Sequence, residues 1–223
     1  MAILALSGYA KSGKNTVATI MQYLQCKEPH VSLEEVLNNY EVHEWWLSEF
    51  SNWEQQSFAG KLKEIASLLT GIDVEKFNNQ DFKLTNLGPE WSDHGMTMTV
   101  RTFLQKLGTN ALRDGLHPNT WVNALMCDYK IGPFYPYISA KKHAKYPDWI
   151  ITDCRFLNEA KSIKDKEGKI IRVNRKGTTC INDHISERAM DGYKYDYVIN
   201  NDSDLVSLTI QVKNILQKEN ILK

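Results

Sequence analysis

The chain has 223 residues, 42% hydrophobic and 24% charged, the make-up of an ordinary soluble globular protein with room for one sizeable α/β domain. Lys+Arg and Asp+Glu each number 27, which excludes a global positive field for nucleic acid and leaves open only a local basic pocket for a small anion. Cys26, Cys127, Cys154 and Cys180 are scattered without a C-x-x-C pair, so a metal site or disulfide framework is not expected. Reduced thiols, no basic leader and no apolar run of membrane-spanning length point to the cytoplasm, with no membrane partner.

Ala2–Leu6 is a continuous apolar run ended by Ser-Gly, the pattern of a buried central strand. A helix from Lys14 to Leu24 comes next, with Val17, Ile20, Met21 and Leu24 on one face. Ser32-Leu33-Glu34-Glu35 has the form of a capping box opening a short helix, and Trp45, Trp46 and Trp53 crowd a stretch of undefined form. A short strand is expected at Gln56–Phe58, then a helix from Lys61 to Leu69 ended by Gly71. Phe77–Met98 is irregular. Thr99 should cap a long helix whose stripe runs Val100, Phe103, Leu104, Leu107, Ala111 and Leu112. Pro118 suits the first turn of another, reaching Tyr129, and Ile131–Pro147 is an exposed excursion. Trp149–Asp153 is a second buried strand. Helix Asn158–Lys166, strands Lys169–Val173 and Asp196–Ile199, and helix Ser203–Leu216 complete the chain. The alternation predicts an α/β fold with three layers, a parallel sheet of about five strands between helices.

Gly8-Tyr-Ala-Lys-Ser-Gly13-Lys14-Asn15-Thr16 joins the first strand to the first helix at the phosphate-loop spacing. The first turn of a helix leaves backbone N–H groups unpaired and adds partial positive charge. Glycines let that backbone close on an oxyanion, and a lysine reaches the terminal phosphates. Gly8, Gly13 and Lys14 fill those roles. Asn15 stands where many such loops carry a hydroxyl for Mg²⁺, and Thr16 supplies one a residue later. The order G-K-x-T is that of adenylate-kinase-like enzymes, which favours a small kinase over a motor or a switch. Mg²⁺ would then be held mostly by phosphates, water and a carboxylate elsewhere.

Asp153 ends the strand W-I-I-T-D, where an acidic residue at the sheet edge meets a nucleotide's metal, and Arg155 lies two residues on. A helix-capping Asp with an arginine partner is the plain alternative. Phosphoryl transfer between anions needs several fixed cations. Lys11, Lys63, Lys83, Arg101, Arg155 and Arg175 are the candidates.

Taken in order, LSGYAKSGKNT, SFAGKLKEIA, VRTFLQKLGTNALRDGLHPNTWV, WIITDCRFLNEA, RVNRKG, HISE and DYVINNDSDL resemble the bacteriophage deoxynucleoside monophosphate kinases. The resemblance runs from Met1 to about Asp204 and fades at Lys27–Trp53 and Ile131–Pro147, which look like helical or loop insertions. It implies a P-loop kinase domain over 1–223, nucleoside-monophosphate-kinase-like, with an acceptor-binding helical region around 59–130. It implies transfer of the γ-phosphoryl group of ATP to a deoxynucleoside monophosphate, with Mg²⁺, in the infected cell's cytoplasm. By motif, Gly8, Lys11, Ser12, Gly13, Lys14, Asn15 and Thr16 would hold ATP, and Arg175 would border adenine. Lys63, Lys83, Arg101, Gly108, Thr109, Trp121 and Asp153 would belong to the acceptor side. Lys14, Arg155 and Asp153 would be catalytic, with Asp153 also the metal's carboxylate.

Plainer roles stand beside several of these. Trp121 with Leu125 is as well suited to a core, Gly108-Thr109 to helix packing, and His184 after Asp183 to a helix start. Lys141, Lys142 and Lys145 suit a lid or a solvated loop. A P-loop kinase for another phosphorylated acceptor (phosphomevalonate or dephospho-coenzyme A), or a nucleotide-binding switch without transfer, are the alternative functions. A nucleic-acid-end kinase is a weaker one. Dimeric relatives make a homodimer the candidate assembly, with Trp45-Trp46 covering an interface or an internal lobe.

Overall fold

The apolar run at the start of the chain forms β1 (Ile3–Ser7), buried along its whole length, and leads through the glycine loop into α1 (Lys14–Gln25). A computed structural model describes residues 2–26, 30–92, 95–130, 146–178 and 188–222; Lys141, Lys142, Lys145, Asp183 and His184 lie outside them. In chain order the next elements are α2 (Leu33–Asn38), α3 (Tyr40–Phe50), β2 (Trp53–Gln56), α4 (Gly60–Thr70), α5 (Val100–Gln105) and α6 (Thr120–Met126). Then come β3 (Asp148–Ile151), α7 (Leu157–Lys164), β4 (Lys169–Asn174), β5 (Tyr197–Asn200) and α8 (Leu205–Lys218). Two compact units result: Met1–Ser57 with Tyr129–Lys223, and Phe58–Asp128.

The first unit holds a five-stranded sheet in the order β2-β3-β1-β4-β5 with every pair parallel. The central place of β1 explains its unbroken apolar sequence, since neither face meets water. Leu4, Leu6, Ile150, Ile171, Val173 and Ile199 form one core with Val17, Ile20 and Met21 of α1 and Leu208, Val212 and Ile215 of α8. Each such side chain contributes about 1.5–3 kcal/mol on leaving water. The alternate residues Ile3, Ala5 and Ile170 are as deeply buried on the opposite face. There α7 packs on β4 with Ala160 and Ile163 buried. This is the expected three-layer α/β arrangement.

Differences from the sequence pattern are local. The second strand is Trp53–Gln56, earlier than Gln56–Phe58, because buried Trp53 pairs with Asp148 and Gln56 with Ile151. The expected serine cap is present, with Ser32 Oγ accepting the Glu35 N–H at 3.2 Å. Trp46 on α3 is fully buried beside Tyr23, ring centroids 5.6 Å apart, so it is core; Trp45 is half exposed.

The second unit is helical, with its own core of Ala66, Phe77, Leu87, Val100 and Phe103. Gly71 ends α4 in the left-handed region at φ 69°, and Thr99 Oγ1 caps α5 by accepting the Thr102 N–H at 3.1 Å. The long helix expected after Thr99 is α-helical only to Gln105 and continues as a π-helix over Lys106–Asp114. Its widened bonds include Gly115 N–H to Asn110 O at 3.0 Å and His117 N–H to Leu112 O at 3.1 Å. Side chains claim carbonyls the α-ladder would use: Trp121 Nε1 donates to Gly108 O at 2.8 Å and Thr120 Oγ1 to Leu112 O at 2.8 Å. Pro118 precedes α6, whose cap is Asn119.

Candidate active site

The loop between β1 and α1 is built on backbone that side chains would obstruct. Gly8 has φ +152° and Gly13 φ +95°. A Cβ on Gly8 would lie 2.4 Å from the Val173 carbonyl oxygen, and one on Gly13 2.3 Å from Asn201 Nδ2. Lys11 itself is exposed and left-handed, at φ 65°. The turn is closed by Ser12 N–H on Tyr9 O at 3.2 Å, and Asn201 Nδ2 ties it to the end of β5 through Ser12 O at 3.0 Å.

Lys14 folds back over this turn, its Nζ donating to Gly8 O at 2.9 Å and Tyr9 O at 2.8 Å. Gly13 gives α1 no side-chain cap, and Val17 N–H is on Gly13 O at 2.9 Å. The amides of Lys14, Asn15 and Thr16 therefore fall in the first turn, where the helix itself offers no acceptor. Asn15 is exposed and Thr16 half-buried, in keeping with the displaced hydroxyl. Ser12 Oγ is buried without a hydrogen-bond partner among the described residues. First-turn amides, an ammonium group and an unused buried hydroxyl around a cradle closed to Cβ atoms fit a chain of phosphates.

Asp153 and Arg155 stand at the same edge of the sheet. Cys154 N–H donates to Leu6 O at 3.0 Å, prolonging the β1–β3 pairing to the residues beside Gly8. Glu159, 3% exposed, pins the backbone that leads into α7: its Oε2 accepts Arg155 N–H at 2.7 Å and Phe156 N–H at 3.0 Å. The Cys154 thiol is pushed well up by burial, then by the charges of Glu159 and Asp153, so it stays protonated. Among the described residues no three His, Cys, Asp or Glu gather as a metal cage. The Asp153 carboxylate at this edge fits Mg²⁺, which usually keeps water and substrate phosphates as its other ligands. Arg175 is exposed just past β4, its carbonyl accepting Thr178 N–H at 3.1 Å.

The remaining candidates lie in the second unit. Lys63 on α4 donates to Asn78 Oδ1 at 2.7 Å. Arg101, in the first turn of α5, is half-buried; its Nη2 reaches Gln80 Oε1 at 3.4 Å, and its Nε is buried without a partner among the described residues. Lys83 is half-buried on the short 3₁₀ helix Phe82–Leu84. Gly108 is buried where a Cβ would come 2.8 Å from Leu62 Cδ2, so it permits close packing of the π-helix on α4. Thr109 beside it is half-buried. Trp121 is buried and has committed its indole N–H to Gly108. Two functional supports, Glu159 and Asn201, carry little signal in the sequence. Glu159 stands three residues after the cap position, as in a capping box, but Phe156 at that position lacks the hydroxyl that would mark it. Nothing local marks Asn201 as the partner of a loop 189 residues away.

A family model described as Deoxynucleotide monophosphate kinase matches residues 37–212, a span that includes Lys63, Arg101, Asp153, Arg155 and Arg175 and begins after the glycine loop. A protein of Acanthamoeba polyphaga mimivirus, provisionally named a deoxynucleotide monophosphate kinase, is 30% identical over 167 residues, covering 71% of this chain and 80% of that relative. The deoxynucleotide monophosphate kinases of Escherichia phage RB69 and Enterobacteria phage T4 are 24% and 27% identical over 148 and 146 residues, 66% of this chain in each case. Those matches take in only 53% and 54% of the two phage proteins, so the chain spans about half their length.

Proposed function

The chain belongs to the deoxynucleotide monophosphate kinase family, and on that premise we propose that it transfers the γ-phosphoryl group of ATP to a deoxynucleoside 5′-monophosphate. The observation that carries this is the loop Gly8–Thr16, where two glycines leave no room for Cβ atoms and Lys14 bends over the carbonyls of Gly8 and Tyr9. On donor binding Lys14 exchanges those carbonyls for the β- and γ-phosphate oxygens. The first-turn amides, Ser12 and Thr16 take the rest of the polyphosphate; Lys11 flanks it and Arg175 borders the adenine. Asn15, exposed, adds its first-turn amide to the same cradle.

In the transfer, the bond from the γ-phosphorus to the β–γ bridging oxygen breaks and a bond to an acceptor phosphate oxygen forms. That oxygen is already anionic, so no strong base is needed, and catalysis is positioning, charge neutralisation and exclusion of water. Arg155, its backbone held by Glu159, neutralises charge on the transferred group. Asp153, with water and the phosphates, would hold Mg²⁺, which would add further charge neutralisation when bound. Lys63 and Arg101 bind the acceptor phosphate, with Lys83 beside them in role. Gly108, Thr109 and Trp121 shape the acceptor region through its packing.

The test is a product screen. The protein is incubated with ATP, Mg²⁺ and each of dAMP, dCMP, dGMP and dTMP, with phosphomevalonate and dephospho-coenzyme A as rival acceptors. A deoxynucleoside diphosphate together with ADP is expected. Product from a rival acceptor alone, or tight ATP binding with no phosphorylated product, would overturn the proposal.

A further inference from the structure

Lys63 and Arg101 differ from the ion-paired lysines in what they touch, and share with Arg172, on Asn174 Oδ1 at 3.2 Å, a contact to a neutral amide oxygen. Lys61 lies two residues from Lys63 on α4 and meets Glu64 at 3.4 Å and Asp128 at 3.7 Å. Lys161 meets Asp165 at 2.6 Å, Lys164 meets Asp196 at 2.8 Å, and Lys169 meets Glu219 at 3.8 Å. Lys63 and Arg101 have no carboxylate partner among the described residues. Each instead reaches a neutral amide oxygen, Asn78 Oδ1 at 2.7 Å and Gln80 Oε1 at 3.4 Å. The two amides come from one short segment, at and just after the 3₁₀ helix Val74–Asn78. The Asn78 amide is also oriented: its Nδ2 donates to Glu75 Oε2 at 2.8 Å, which turns its oxygen towards Lys63.

An amide oxygen holds a cation in place without cancelling its charge. A carboxylate would hold it more tightly, neutralise it and repel an arriving phosphate. We propose that Asn78 and Gln80 are positioning residues of the acceptor-phosphate site. They park Lys63 and Arg101 with their charge intact and release them to the phosphate of the incoming monophosphate. The inference rests on the acceptor role proposed for Lys63 and Arg101, and adds the requirement that their resting partners be neutral.

The experiment compares charge with truncation. KM and directly measured Kd are determined for the deoxynucleoside monophosphate with the highest turnover, alongside KM for ATP. The variants are Asn78→Asp, Asn78→Ala, Gln80→Glu and Gln80→Ala, with Lys63→Ala and Arg101→Ala as references. The carboxylate variants, nearly isosteric with the native residues, should weaken the acceptor about tenfold or more and leave KM for ATP within about twofold. The alanine variants should weaken it less than about threefold. At Gln80 a merely structural role gives the reverse order, since truncation removes the contact and the carboxylate keeps it; Asn78→Asp also sets a second carboxylate against Glu75 Oε2, so the Gln80 pair decides between the two roles. Equal losses in the two classes, or none from the carboxylates, would overturn the inference while Lys63→Ala and Arg101→Ala still raise the acceptor KM. Should those two references leave it unchanged, the acceptor assignment falls, and the inference with it. Gln80 is exposed, so the Gln80 pair serves if either Asn78 variant fails to fold.

Discussion

Replacing Gly8 by alanine tests the loop where it is tightest. The new Cβ would lie 2.4 Å from the Val173 carbonyl oxygen and 2.8 Å from Ser12 Oγ, on backbone with φ +152°. Ser12 Oγ can rotate away. The Val173 carbonyl cannot, because β4 is held in register between β1 and β5. Left-handed backbone costs an L-residue about 1–2 kcal/mol, and forcing a methyl into packed space about 1–3 kcal/mol more. The sum, roughly 2–5 kcal/mol, lowers the melting temperature by about 2–4 °C per kcal/mol at this size, or roughly 4–20 °C. Gly71 is the control: its φ is +69° but nothing lies within 4 Å of a Cβ there, so alanine should cost only the backbone part, about 1–2 kcal/mol. Thermal and urea unfolding give the stabilities, and steady-state kinetics should show KM for ATP rising more than KM for the monophosphate in Gly8→Ala. Equal destabilisation at the two glycines, or an unchanged KM for ATP, would refute the reasoning.

Two further outcomes can be checked. Glu159→Ala strands two part-buried amides, those of Arg155 and Phe156, and should destabilise by about 1–3 kcal/mol in urea, with Glu159→Gln losing less because one acceptor oxygen remains; equal losses would contradict the pinning role. Burial pushes the Asp196 carboxyl up, but hydrogen bonds from Lys164 and Ile170 N–H and the charges of Lys164 and Lys169 outweigh it and hold its pKa below the ordinary value. A carboxylate depressed in the fold stabilises it when ionised; this contribution is present above roughly pH 4 and is lost as pH falls through the lowered value. Asp196→Asn should therefore show a shallower fall in urea midpoint between about pH 5 and pH 2.5 than the native chain, and equal slopes would contradict it.

The sheet was legible in the sequence wherever a strand is buried on both sides. Ile3–Leu6 and Trp149–Ile151 are short unbroken apolar runs, and their pairing reflects their central positions. The edge strand β2 was displaced because Glu54, Gln55 and Gln56 are polar, and only Trp53 marks the buried face. The π-helix was hidden: Lys106–Asp114 carries a good helical stripe, and the side chains that claim its carbonyls, Trp121 and Thr120, lie beyond the stripe's end. At the loop, spacing alone indicated Gly8, Gly13 and Lys14, since a phosphate cradle would draw on backbone amides and one ammonium group. Its supports, Asn201 and the packing carbonyl of Val173, are tertiary and leave no local trace.

In the proposed reaction Lys14 and the loop amides grip the donor's phosphates for transfer to another phosphate. Incubation with ATP labelled on the γ-phosphorus, Mg²⁺ and a deoxynucleoside monophosphate measures this most directly. The label should appear in the terminal phosphate of a deoxynucleoside diphosphate, and Lys14→Met, folded by circular dichroism, should slow its appearance by about 10²–10³-fold. Label released only as inorganic phosphate, or transfer by Lys14→Met within about threefold of the native rate, would contradict the account.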